Sequence, residues 1–68
     1  MKQIFFQVHE SSETGYEASA LGYDIFTEGE TEEELKKNII DAVKCHFASD
    51  KMPDAVLLHF VKDELISL

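Results

Sequence analysis

Sixty-eight residues, 44% hydrophobic and 29% charged, describe one small globular domain and exclude both a second domain and a disordered chain. Six lysines and no arginine stand against fourteen Asp and Glu, for a net charge of -8. That balance works against direct binding to nucleic acid, where Lys and Arg must neutralise phosphates, and suits a basic protein partner or nothing more than solubility. The single Cys45 excludes an internal disulfide.

The first predicted element is a strand over residues 2–9, where Ile4, Phe6 and Val8 alternate with Gln3, Phe5 and Gln7. The first set should face the core. Phe5 on the other face then calls for a second cover. The polar run from Glu10 to Gly15 reads as a hairpin connection. Tyr16, Ala18 and Ala20 alternate with Glu17 and Ser19 in a second strand, whose small residues leave room for a helix. Leu21-Gly22-Tyr23-Asp24 reads as a turn, Ile25-Phe26-Thr27 as a short third strand, and Glu28-Gly29-Glu30 as its close.

A helix follows. Thr31 and Glu34 have the capping-box spacing, and Glu32, Glu33 and Glu34 fill the first turn, where the helix dipole favours negative charge. Glu32–Lys36 and Glu33–Lys37 are i,i+4 pairs in the better orientation. Leu35, Ile39, Ala42, Val43 and His46 form one stripe, widened by Ile40 and Phe47, with Lys36 snorkelling beside it. The helix is predicted to end near Ala48 or Ser49, and His46 to be half-buried. Lys51-Met52-Pro53-Asp54 is a connection. Residues 55–61 form an apolar run broken only by His59, the pattern of a strand covered on both faces. Lys62, Asp63 and Glu64 carry the chain out to solvent, and Leu65-Ile66-Ser67-Leu68 is apolar again.

The order βββαβ predicts an α+β fold, one sheet with one helix on one face. One helix leaves the other face uncovered, so a homodimer is expected, with Phe5, His59, Val61, Ile66 and Leu68 as the expected interface. No apolar run reaches the length of a membrane span and the N-terminus is not a signal peptide, so the expected location is cytoplasmic.

Catalytic patterns are missing. His9, His46 and His59 fall on three different predicted elements, and no CxxC or HExxH spacing occurs, so no metal is expected. Cys45 and His46 diverge by about 100° on a helix and are poorly placed to act together. Gly15, Gly22 and Gly29 lie in three separate turns and build no phosphate loop. Neither a cofactor nor an enzymatic activity is expected. The crowding of Glu28, Glu30, Glu32, Glu33 and Glu34 admits two readings: a solvated acidic face, or a surface that imitates nucleic-acid phosphates and occupies a basic RNA-binding site.

Gly15-Tyr16-Glu17-Ala18, then residues 26–31 with Thr27-Glu28-Gly29-Glu30-Thr31, then Glu33-Glu34-Leu35, Asn38-Ile39 and Ala42-Val43, together resemble the HicB-like antitoxin family. The resemblance extends weakly into the first strand and into Leu58-His59-Phe60-Val61, and so spans nearly the whole chain. Two departures stand out. Leu21-Gly22-Tyr23-Asp24 replaces a proline-containing turn, and the chain to Leu68 has no room for the C-terminal DNA-binding segment of longer members.

The resemblance implies a partial RNase H-like fold without a nuclease site. It implies a small basic mRNA interferase of HicA type as partner, whose RNA-facing surface is masked, and assemblies containing antitoxin dimers. Glu28, Glu30 and Glu33 are the expected partner-binding residues, while Gly15, Gly29, Thr31 and Glu34 are expected to shape turns and the helix cap. The alternative is a free-standing dimeric interaction module without a toxin.

Overall fold

The computed structural model describes residues 2–11, 13, 15–63 and 65–68. Strands β1 (Gln3–Ser11), β2 (Gly15–Ala20) and β3 (Phe26–Gly29) precede helix α1 (Glu32–His46), and strand β4 (Ala55–Val61) follows it. A 3-10 turn, Ser49–Lys51, lies between α1 and β4. The four strands form one sheet in the order β3-β2-β1-β4. β1–β2 and β2–β3 are antiparallel, and β1–β4 is parallel. The fold is thus α+β with the order βββαβ.

A parallel partner needs a crossover, and α1 supplies it by carrying the chain from one sheet edge to the other. At about 1.5 Å per residue the helix covers about 22 Å, enough to cross a sheet of four strands about 4.8 Å apart. Alternation along β1 turns Ile4, Phe6 and Val8 towards α1, and the register sets Ala18 and Ala20 of β2 and Val56 and Leu58 of β4 beside them. Leu35, Ile39 and Val43, one stripe of α1, close the core over Ile4, Phe6, Val8, Ala18 and Ile25. Ala18 is where small size matters, since a larger side chain would hold the helix off the sheet.

The helix begins as its sequence suggests. Thr31 is extended, and its hydroxyl accepts the Glu34 N–H at 3.1 Å. The Glu34 carboxylate reaches back to the N–H of Glu30 at 3.4 Å rather than to that of Thr31. Thr31→Ala is expected to lower stability by about 1 kcal/mol. A urea midpoint left where it was would show the cap to be without consequence.

Several boundaries differ from the sequence reading. β1 runs on to Ser11, and the expected hairpin connection shortens accordingly; Ser12 and Thr14 within it lie outside the described residues, as does Glu64 in the exit from β4. β3 begins at Phe26 and extends through Glu28 and Gly29, while Ile25 precedes the strand and is buried. The helix stops at His46, short of the expected Ala48 or Ser49. Phe47 turns extended there because its ring leaves the helix line to meet Tyr23, with centroids 5.1 Å apart. His46 is exposed rather than half-buried, and its ring contacts those of Tyr23 and Phe47. Ile40, expected to widen the buried stripe, is half exposed.

The apolar run of β4 predicts cover on both faces. Within one chain β4 is instead an outer strand, paired on one side with β1, and Leu57, His59 and Phe60 are exposed. Its apolar character therefore has no full account inside the monomer.

Candidate functional site

The most strongly charged part of the molecule lies where β3 meets α1. Glu28 and Glu30, with Glu13 and Glu34, surround a shallow hollow of about 290 Å³ floored by Gly29. Their placement follows from two close approaches. A Cβ on Gly29 would come within 2.6 Å of the Leu35 nitrogen, so only glycine lets β3 lie against the first turn of the helix. Gly15 has φ of +89°, and a Cβ there would meet the Glu30 and Gly29 carbonyl oxygens at 2.6 and 2.7 Å. The start of β2, the end of β3 and the start of α1 are therefore pressed together.

Asn38 completes the clamp. Its Nδ2 donates to the Glu28 carbonyl oxygen at 2.7 Å, tying the second turn of α1 to β3. Sequence reasoning assigned Asn38 no role. The only signal was a polar residue next to the buried Ile39, inside an otherwise apolar–charged helix pattern.

Of the three expected partner-binding residues, Glu28 and Glu30 are together at the hollow. Glu33 is exposed on the first helical turn and does not line it. Glu28 also stands directly opposite Glu17 across β2–β3.

The sheet face away from α1 is a second surface. Phe5 lies beside Leu57, Gln7 beside His59, and His9 beside Val61. Phe5 and Leu57 are nearly half exposed. Phe5, His59 and Val61, three of the expected dimer-interface residues, are thus on one face. Ile66 and Leu68 are on the segment beyond β4, well exposed with Leu65. The register also puts His9 and His59 on that face, one step apart on neighbouring strands. Among the described residues, no group of three or more His, Cys, Asp or Glu is arranged to hold a metal ion. Cys45 is exposed. No described helix is long and apolar enough to cross a membrane.

The chain is similar to a UPF0150 protein of Thermotoga maritima, 46% identical over 67 residues that cover 98% of this chain and 94% of the relative. It is similar to a UPF0150 protein of Archaeoglobus fulgidus, 46% identical over 50 residues covering 74% of each chain. No protein-family model matches the chain, and no solved structure matches it with significance.

Proposed function

We propose that this chain, which belongs to the UPF0150 protein family, is a non-catalytic, HicB-like antitoxin that binds and neutralises a small basic mRNA interferase of HicA type. The observation that carries this reading is the acidic hollow at the β3–α1 junction, in a chain of net charge -8. Its carboxylates are held on backbone that Gly15, Gly29 and Asn38 fix in place. Negative groups carried on a fixed backbone can stand in for RNA phosphates in a basic cleft, and their field accelerates encounter with such a partner. The turn and helix start that build the hollow are the segments in which the sequence resembles the HicB-like family.

The mechanism needs no bond chemistry. The antitoxin occupies the surface that the toxin uses for RNA, and substrate is excluded. Glu28 and Glu30 would meet lysines or arginines of the toxin, while Glu33, on the adjoining helical turn, would extend the contact. Salt should weaken the encounter, because exposed charges are screened beyond about 8 Å at physiological ionic strength.

A second reading, a free-standing homodimeric interaction module, is favoured by the exposed Phe5 and Leu57 on the uncovered sheet face. One experiment separates the two. The tagged chain is recovered from its native host, and co-purified proteins are tested for RNA cleavage. The antitoxin reading expects a small basic protein whose cleavage stops once this chain is restored to equal stoichiometry. Recovery of the chain with only its own copies would replace that reading with the second.

A further inference from the structure

The segment beyond β4 is not packed on the body of the domain. Leu65, Ile66 and Leu68 are 94%, 75% and 121% exposed, more than any other large apolar residues described. The molecule measures 52 × 20 × 18 Å, with a radius of gyration of 13.3 Å. A compact chain of this length would have about 11 Å. The excess agrees with the exposure of Leu65, Ile66 and Leu68. On the body itself, Ile39, Ile40, Val56 and Leu58 line a groove of about 280 Å³ between α1 and β4, with Lys36 at its rim. A second hollow shares Ile40 and Val56 with it and runs on past Val43 and Met52, bounded by Lys44 and Asp54. The two make one apolar strip beside the outer edge of β4, whose backbone groups on that side are available for a further strand.

We infer that this strip takes the Leu65–Leu68 segment of a second copy of the chain, an inference that rests on the self-association of the second reading above. The chemistry matches on both counts. The groove is aliphatic and so is the segment, and two of the chain's six lysines, Lys36 and Lys44, flank the strip while Asp63 and Glu64 precede the segment. The chain's own segment would fill only one end of the strip. Folded back along its own β4 after a three-residue turn, Leu65 would lie beside Val61, Ile66 beside Phe60 and Leu68 beside Leu58, so the last residue alone would reach the groove. Val56 and the hollow that runs on to Met52 lie two residues and more beyond it. A second copy approaching the open edge of β4 meets no such limit, and a two-fold exchange of segments satisfies both grooves at once.

The test uses the full chain with Cys45→Ser throughout. A nitroxide is placed at Ser67→Cys on unlabelled protein, which is then mixed with isotope-labelled protein carrying no nitroxide. Loss of the Ile40 and Val56 amide signals in the labelled copy is the expected result. Ile40→Asp should weaken self-association about tenfold or more in sedimentation. Ile40 is half exposed, and unchanged circular dichroism would show that the variant still folds. Signal loss confined to Phe5, Leu57 and His59 would overturn the groove assignment while leaving self-association intact. Groove signals lost only when nitroxide and isotope share one chain, under dilution with unlabelled protein, would place the segment in its own molecule and overturn it too. No loss anywhere, together with a monomer in sedimentation, would remove both the inference and the dimer it rests on.

Discussion

Gly15→Ala is expected to lower stability by about 3 kcal/mol or more, and Gly29→Ala by about 2–3 kcal/mol, whereas Gly22→Ala should cost only about 1 kcal/mol. The three glycines separate two effects that are usually mixed. Gly22 has φ of +85° and open space where a Cβ would go, so it needs only the left-handed backbone. Gly29 is not in that region, but a Cβ would stand 2.6 Å from the Leu35 nitrogen and 2.8 Å from its Cα. Those atoms belong to the backbone of α1, so relief requires a shift of the helix that closes the core. Gly15 carries both burdens, with φ of +89° and two carbonyl oxygens within 2.7 Å. A domain of this size has on the order of 3–10 kcal/mol of stability in total, so the Gly15 and Gly29 variants should sit near the edge of folding. Urea titration of the three variants checks the order. A Gly22 variant as damaging as the Gly29 variant would mean that close packing at the β3–α1 junction is not what those glycines provide.

The same comparison shows what was legible in the sequence. Gly15, Gly22 and Gly29 all mark turns in the amino-acid pattern, but positive φ and lack of space leave the same letter. Only the packed structure tells them apart. Local signals were readable in their main lines, though not in their boundaries. The alternation of Ile4, Phe6 and Val8 sets the buried face of β1, Thr31 starts α1, and Ala55 to Val61 bound β4. Nonlocal consequences were not. That β4 is an outer strand parallel to β1 depends on where the crossover lands, and the apolar run alone suggested a covered strand. The early end of α1 depends on Tyr23, which reaches Phe47 from a turn that reads as polar punctuation. At the acidic hollow, the carboxylates Glu28 and Glu30 were legible as a charge cluster. The Asn38 amide that pins the Glu28 carbonyl was not, because it joins residues on different elements.

Replacing Glu28, Glu30 and Glu33 together by glutamine should slow association with the proposed basic toxin about tenfold or more at low ionic strength, and leave dissociation less affected. Glutamine keeps the size and polarity of each side chain, so the change is one of charge alone. The three side chains are exposed, and Glu34, whose carboxylate meets the Glu30 N–H, is left in place to preserve the helix start. Asp50→Asn with Asp54→Asn is the matched control. These residues border a hollow with Lys2 and Lys51 beyond the far end of α1, about 22 Å along the helix from the acidic hollow. Both variants reduce the net negative charge, but only the first does so where contact is proposed. If general attraction were all that mattered, the two would slow association in proportion to the charge removed. If the β3–α1 junction enters the toxin's RNA cleft, the first should lose far more rate per charge, and the gap should close as salt rises and screening shortens to about 3 Å near 1 M. Stopped-flow association over a salt series reads this directly. Equal rates per charge for the two variants would take the hollow out of the interface and leave the acidic excess as a property of the whole surface.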